Sequence, residues 1–205
     1  MTTARDEMLA RVRYATPGRA PAIPRTYQRK SSRTDLVERF CERVADYRAD
    51  VRRVTAESVS STIASALADR GANRIGVPPG LPAAWRPPTT VVEDHGLSAA
   101  ELDALDGVVT GCEIAIAETG TIVLAGGSTE GRRALTLVPD LHLCVVEEEQ
   151  IVDVLPQAIS RLEPLVRDER RPLTFVSGPS ATSDIELSRV EGVHGPRDFV
   201  VVVVT

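Results

Sequence analysis

Apolar residues recur at helical spacing in several stretches of the chain and gather into short runs elsewhere. Phe40 and Val44, for example, lie on one helical stripe behind the potential N-cap Thr34. Ser98 and Glu101 have the spacing of a capping box at the start of another helix. On this reasoning, helices are predicted over residues 4–14, 34–50, 55–71, 98–105 and, behind three glutamates at 147–149, 151–162.

The short runs are rich in β-branched residues and predict strands separated by Gly, Asp and Pro. These strands fall at residues 51–54, 74–77, 89–92, 108–110, 121–124, 135–138, 141–146, 173–176 and 199–204. Five valines from Val200 to Val204 indicate a strand buried on both faces, as in the centre of a parallel sheet. We therefore expect an α/β fold: a single-domain sandwich over residues 34–205, with a mainly parallel central sheet and an antiparallel excursion near 121–146. Residues 1–33, which carry several prolines, are expected to form an N-terminal helix and an extended arm.

The composition limits the classes of protein that the chain can represent. Its 205 residues, 42% of them hydrophobic, suffice for one core, and the net charge of −5 argues against a nucleic-acid binder. A basic cluster at residues 25–33 is either a solvated segment or a binding surface. The three cysteines form no C-x-x-C pair, so we expect this chain to bind neither a metal nor an iron–sulfur cluster. We also expect a cytoplasmic location, because there is no apolar signal segment and no run of ~18–20 apolar residues.

The sequence Ala117-Glu118-Thr119-Gly120-Thr121 places a carboxylate and two hydroxyls around a glycine, just before a strand. Glu118 is therefore a candidate nucleophile, general base or ligand anchor. The alternative is structural: Gly120 permits a turn with positive φ, and Glu118 accepts hydrogen bonds from nearby amides. The spacing alone leaves both interpretations open.

A second motif at residues 177–186 follows a strand and contains a Gly-Pro-Ser turn at 178–180. Its backbone N–H groups and hydroxyls could cradle a carboxylate or a phosphate, although it lacks the Gly-Lys-[Ser/Thr] ending of a P-loop. Ser183 and Glu186 also form a capping box, and Asp184 would then occupy the positive end of a helix. Both interpretations stay open.

Arg133 is a further candidate for contact with an anionic substrate, because its planar fork pairs bidentately with a carboxylate. It follows a Gly-Gly-Ser segment at 126–128, which is either a hairpin with a solvated basic flank or a loop that presents the guanidinium. His194 lies on a loop and can reach a site, whereas His142 lies in an apolar strand and is expected to be structural.

Three blocks in order along the chain, residues 110–124, 137–142 and 177–196, carry a resemblance to a known family. Over residues 36–204 the chain resembles the lactate utilization protein C family, whose members contain a LUD domain. The resemblance implies a fold similar to that of sugar-phosphate isomerases, glucosamine-phosphate deaminases and CoA-transferases. Because that fold supports several chemistries, it leaves the reaction open.

The resemblance also implies a role in the oxidation of L-lactate to pyruvate, together with two iron–sulfur partner proteins. This chain would then be a non-redox subunit that binds a small anionic substrate or assembles the complex, while the iron–sulfur clusters belong to the partners. Two alternatives remain: an independent acyl-CoA or sugar-phosphate enzyme with Glu118 as its nucleophile, and a scaffold or regulatory protein without catalysis.

Site residues carry over by position from the family's two motifs. They are Glu118, Thr119, Gly120 and Thr121 in the first, and Gly178, Pro179, Ser180, Asp184, Glu186, His194 and Gly195 in the second. Many members have Asp in place of Glu118, and many have Arg or Asn in place of Ala181, so this chain lacks any anion contact made by that side chain. We expect the two motifs to face one another across the ends of the strands and to share a pocket.

Overall fold

Helices and strands alternate along most of the chain in a computed structural model, which describes residues 3–15, 23, 26, 33–179 and 195–205. The helices are α1 (Ala4–Ala15), α2 (Leu36–Asp46), α3 (Val59–Ala68), α4 (Ala99–Asp103) and α5 (Leu155–Arg167). The strands are β1 (Asp50–Val54), β2 (Arg74–Val77), β3 (Thr90–Glu93), β4 (Gly107–Thr110), β5 (Ile114–Ile116), β6 (Thr121–Leu124), β7 (Leu141–Glu147), β8 (Ile151–Val152), β9 (Thr174–Val176) and β10 (Asp198–Val204).

Six strands form a central sheet in the order β1-β10-β7-β4-β2-β3, and every pair in it is parallel. The valine run lies in β10, the second strand of this order, and Val200, Val201, Val202 and Val203 are fully buried. This burial on both faces explains why β10 is apolar throughout rather than alternating. The expected α/β fold with a mainly parallel central sheet is therefore confirmed.

A second, smaller sheet has the order β8-β5-β6-β9. Its β5–β6 and β6–β9 pairs are antiparallel, and its β5–β8 pair is parallel. The antiparallel pairing thus covers residues 114–124 and returns at 174–176. The expected excursion near 121–146 includes β6, but β7 at its far end belongs to the parallel sheet.

The two sheets and the helices form layers around buried clusters. On one face of the central sheet, α3 packs through Ile63 and Leu67 against Leu143 and Val145. The other face is covered by the smaller sheet and α2. The core between them includes Phe40, Val44, Ala115, Ile122, Cys144 and Val201. The outer face of the smaller sheet is covered by α5. The hairpin turn between β5 and β6 therefore lies beside α2.

Two sequence predictions in this region are wrong. Residues 135–138 form turns rather than a strand, and Leu135 is buried there because it packs beside Val108 in a small cluster with α4. The helix expected from residue 151 begins at Leu155, because residues 151–152 instead pair with β5. Pro156 lies in the first turn of α5, where its missing N–H has no intrahelical partner to lose.

The N-terminal helix is present as α1, and none of its side chains is buried. Its apolar residues are exposed, among them Met8 and Leu9. The boundary expected between residues 33 and 34 stays a prediction. Across the described residues, no helix has both the length and the apolarity needed to cross a bilayer.

Candidate functional site

The first motif forms the turn of the β5–β6 hairpin, and Gly120 holds that turn against α2. Gly120 has a φ of +61°, and a Cβ on it would lie 2.6 Å from the carbonyl carbon of Arg43 and 2.7 Å from the backbone nitrogen of Val44. Only glycine combines this conformation with so close an approach of two backbones. On the other side, the N–H of Glu118 donates to the carbonyl oxygen of Asp153 over 2.9 Å. The backbone of the turn is therefore held from both sides.

The side chain of Glu118 is exposed at the tip of this turn. Among the described residues, no group donates a hydrogen bond to its carboxylate. The structural interpretation requires hydrogen bonds from nearby amides to this carboxylate, and the described residues do not supply them. The carboxylate is therefore available to a ligand.

A chain of hydroxyl groups, which we call the hydroxyl chain, connects the two motifs. Oγ1 of Thr119 lies 2.7 Å from Oγ1 of Thr121, which lies 2.7 Å from Oγ of Ser177. Thr121 and Ser177 meet because β6 and β9 are antiparallel, with Ile122 opposite Val176. Each hydroxyl can donate or accept, so the exposed end at Thr119 can present either a proton or a lone pair to a ligand.

The second motif begins against the same end of α2. Gly178 has a φ of +86°, and a Cβ on it would lie 2.5 Å from Cβ of Tyr47, the residue that caps α2. Gly178 and Gly120 therefore both lie against the C-terminal end of α2. Pro179 follows, and the next described residue of the motif is Gly195. The remaining predicted residues Ser180, Asp184, Glu186 and His194 lie outside the described residues, so the shared pocket and the anion cradle stay predictions.

A buried ion pair lies beneath the hairpin turn. Nη1 of Arg39 on α2 is 2.9 Å from Oδ1 of Asp153, whose side chain is 3% exposed. The other carboxylate oxygen, Oδ2, is buried and has no hydrogen-bond partner. Sequence reasoning missed Asp153, although an acidic residue directly after the apolar pair Ile151–Val152 was the available signal.

Two further residues, Ser177 and Tyr47, contact the site but were not predicted as part of it from the sequence. Ser177 could have been found only from the β6–β9 register, and its partner Thr121 is 56 residues away along the chain. Nothing in the sequence pairs Tyr47 with Gly178.

Arg133 lies between β6 and β7, outside the hairpin turn. Its Nη1 donates to the carbonyl oxygen and to Oγ1 of Thr136, over 3.1 Å and 3.0 Å. Near it, His142 is buried, with Nε2 at 2.7 Å from Oγ1 of Thr110. Burial and, to a lesser extent, the positive charge of Arg133 lower the pKa of His142 to about 3. His142 is therefore neutral near pH 7, as a structural histidine requires.

The cysteines are part of the packing. The Cys112 thiol donates to Oε1 of Gln150 over 3.5 Å, and the Cys144 thiol donates to the carbonyl oxygen of Gly111 over 3.4 Å. The neighbouring Cys144 thiol and burial raise the pKa of Cys112. Cys41 is half-buried on α2. In the part of the chain that the structure describes, no three His, Cys, Asp or Glu side chains are grouped so that they could hold a metal ion.

Residues 37–204 match a protein family described as the LUD domain, which covers both sheets and both glycine turns of the candidate site. The chain therefore belongs to the LUD domain family. It is 46% identical to Lactate utilization protein C of Deinococcus radiodurans, over 98% of this chain and 95% of that protein. It is also 33% identical to Lactate utilization protein C of Shouchella clausii, over 54% of this chain and 49% of that protein.

The fold is similar to that of a solved structure. A crystal structure of a DUF162 family protein from Deinococcus radiodurans matches with a TM-score of 0.74 and 43% identity, over 85% of this chain and 99% of that chain. These matches confirm the family resemblance and the fold class expected from the sequence.

Proposed function

We propose that this chain is a subunit of a cytoplasmic system that oxidises L-lactate to pyruvate. The observation that carries the proposal is the 46% identity to Lactate utilization protein C of Deinococcus radiodurans. Because the similarity covers 98% of this chain, it includes the arm as well as the α/β domain. Similarity over both parts supports a shared role more strongly than similarity of the fold does.

In this proposal, the chain handles the substrate and two iron–sulfur partner proteins accept the electrons. Oxidation of a 2-hydroxy acid to a 2-oxo acid releases two electrons and two protons. The subunit that binds the substrate therefore needs an electron acceptor. Cys112 and Cys144 are buried with their thiols hydrogen-bonded, which supports a packing role for them in this chain. The clusters that receive the electrons would belong to the partners.

We assign substrate handling to the hairpin turn and the residues carried over with it. Glu118 would accept the proton of the lactate hydroxyl, and its exposed carboxylate supports this assignment. The hydroxyl chain and the residues around the start of the second motif would hold the carboxylate of the substrate. The other assigned substrate-binding residues are Gly120, Arg133, Gly178, Pro179, Ser180, Asp184, Glu186 and His194.

The proposal is tested by L-lactate-dependent dye reduction with this chain and its two candidate partners, assayed together and with each omitted in turn. We expect activity only in the complete mixture. Unchanged activity without this chain would contradict the proposal.

The assignment of Glu118 has a separate test in the same assay. Loss of a general base typically lowers a rate by about 10²–10⁴-fold, so Glu118→Gln should lower turnover within that range. Asp103→Asn, which alters an exposed carboxylate on α4, is the matched control and should not change turnover. Full activity of Glu118→Gln would reject the catalytic assignment and favour a scaffold role.

A second candidate function is CoA transfer from acyl-CoA to another carboxylic acid. The exposed Glu118 carboxylate favours it, because none of the described residues donates a hydrogen bond to this carboxylate. The carboxylate would attack the thioester carbonyl and release CoA thiolate, which would then attack the glutamyl carbonyl and release the free acid. A hydroxylamine-sensitive glutamyl thioester, absent in Glu118→Gln, would support this function. Its absence with a panel of acyl-CoA substrates would exclude it.

A further inference from the structure

The loop of residues 125–131, which follows β6, lies on the carboxyl ends of β2 and β4. The N–H of Gly111, directly after β4, donates to the carbonyl oxygen of Thr129 over 2.8 Å. A Cβ on Gly80, after β2, would lie 2.6 Å from the carbonyl oxygen of Ser128. The loop is therefore pressed against both strand ends, and it does not form the hairpin with a solvated flank that the sequence allowed.

The strand ends beneath this loop are a place where parallel sheets bind ligands. After β2 the chain passes to the face covered by α3, where Leu81 and Trp85 pack. After β4 it passes to the opposite face and enters the smaller sheet. Adjacent strands whose connections leave to opposite faces open a crevice at their carboxyl ends, and this is the usual ligand position in such sheets.

The buried carboxylate of Glu130 lies against backbone N–H groups of this loop. The N–H of Ala125 donates to Oε2 of Glu130, and the N–H groups of Gly126 and Gly127 also stabilise its charge. Gly126 has a φ of +68°, the left-handed conformation that turns neighbouring N–H groups to the same side. This arrangement is a backbone nest, which binds anions in proteins.

The surroundings of Glu130 disfavour the ionised form of its carboxyl group. Glu130 is 2% exposed, and burial together with the negative charge of Glu113 raises its pKa, against the stabilising N–H groups. The N–H groups of the nest suit an anion, whereas the surroundings disfavour the ionised form of Glu130 itself.

A positive charge stands beside the nest. A Cβ on Gly127 would lie 2.7 Å from Oε1 of Glu130 and 3.5 Å from Nη1 of Arg171. Arg171 is paired with Glu169, whose side chain is 49% exposed. Because such a surface pair contributes little, Arg171 can turn to an anion in the nest at small cost.

We propose that the nest of residues 125–127, together with Arg171, binds the carboxylate of a small organic acid, and that Glu130 holds this place when the acid is absent. One carboxylate oxygen would accept from the nest, and the other would accept a charge-assisted hydrogen bond from the Arg171 guanidinium. The identification of the acid as a 2-hydroxy or 2-oxo acid rests on the proposed function. The site is separate from the hairpin turn, which lies at the other end of the smaller sheet's strands.

The test is calorimetric titration of the full chain with acetate, L-lactate and pyruvate. Glu130→Ala removes the internal carboxylate, so it should bind acetate at least about tenfold more tightly than the wild type, a difference of about 1.4 kcal/mol. Adding Gly127→Ala to that variant places a methyl group in the nest and should abolish the gain. Arg171→Gln, a change at a partly exposed side chain, should weaken binding of L-lactate by about tenfold.

The control is Asp103→Asn, which should bind each acid as the wild type does. Circular dichroism confirms folding, and Arg171→Gln keeps the test decisive if a loop variant does not fold. Equal acetate binding by wild type, Glu130→Ala and Arg171→Gln, or no binding by any of them, would overturn the proposal. The reconstituted lactate assay is independent of the outcome of this titration. Failure of this site and failure of the proposed function are therefore distinguishable.

Discussion

At the scale of single residues, the hairpin turn shows what sequence chemistry can and cannot anticipate. A positive φ at Gly120 is expected from an Ala-Glu-Thr-Gly-Thr turn, and the structure confirms it. The close approach to Arg43 could not be expected, because it depends on where α2 packs. The same holds for the buried Asp153, because its partner Arg39 lies 114 positions away along the chain.

Gly120→Ala tests the contact between the turn and α2. The new Cβ would combine left-handed strain of about 1–2 kcal/mol with overpacking of about 1–3 kcal/mol. We expect a loss of about 2–5 kcal/mol in the free energy of unfolding, measured by urea denaturation. Gly71→Ala is the matched control, because Gly71 has a φ of +65° but no atom within 4 Å of its Cβ position. Equal losses in the two variants would contradict the contact.

Arg39→Met tests the buried ion pair. It would leave the Asp153 carboxylate buried without a cation, which typically costs about 3–5 kcal/mol of stability. The double variant Arg39→Met, Asp153→Leu should recover most of that loss, because neither charge then remains buried. Urea denaturation of the single and double variants measures both effects. A double variant no more stable than Arg39→Met would show that the two side chains are not coupled.

His142 makes the stability of the fold depend on pH. Its pKa of about 3 lies below the ordinary value of 6.5, so between these values the unfolded chain binds a proton that the folded chain does not. Stability is therefore lost as the pH falls through this window, by about 1.4 kcal/mol per pH unit at most. Between pH 6.5 and 5, the wild type should lose about 1.6 kcal/mol more than His142→Asn, as measured by urea denaturation. The subtraction removes carboxylates common to both chains, and equal losses would contradict a neutral buried histidine.

At the scale of elements, prediction succeeds where the periodicity is long or the burial is extreme. The stripe of α2 and the valines of β10 are read correctly for this reason. It fails for residues 135–138 and for β8, because runs of two to four apolar residues are equally compatible with a strand, a turn or a helix start. Only the neighbouring strand decides, as β5 does for β8.

The contrast between α1 and α2 gives a prediction at this scale. Because α1 buries no side chain, removal of residues 1–15 should change the free energy of unfolding by less than about 0.5 kcal/mol. Phe40 on α2 is fully buried, and Phe40→Ala should cost about 3–5 kcal/mol. Both are measured by urea denaturation. A large loss on removal of α1 would show that the helix packs on the domain.

At the scale of the whole molecule, the α/β class and the family follow from sequence, whereas the strand pairing that joins the two motifs does not. The hydroxyl chain exists because β6 and β9 pair in the smaller sheet, and no local pattern specifies that pairing. Gly178, in the second glycine turn, packs against Tyr47 and so brings the second motif to the same end of α2. The candidate site is therefore assembled from segments that are distant along the chain.

The most direct test is a titration of this chain into a fixed amount of the two proposed iron–sulfur partners, with L-lactate-dependent dye reduction as the readout. The account predicts that the rate rises with added chain and saturates at a fixed stoichiometry. A rate that is independent of the added chain would contradict a role as a necessary subunit.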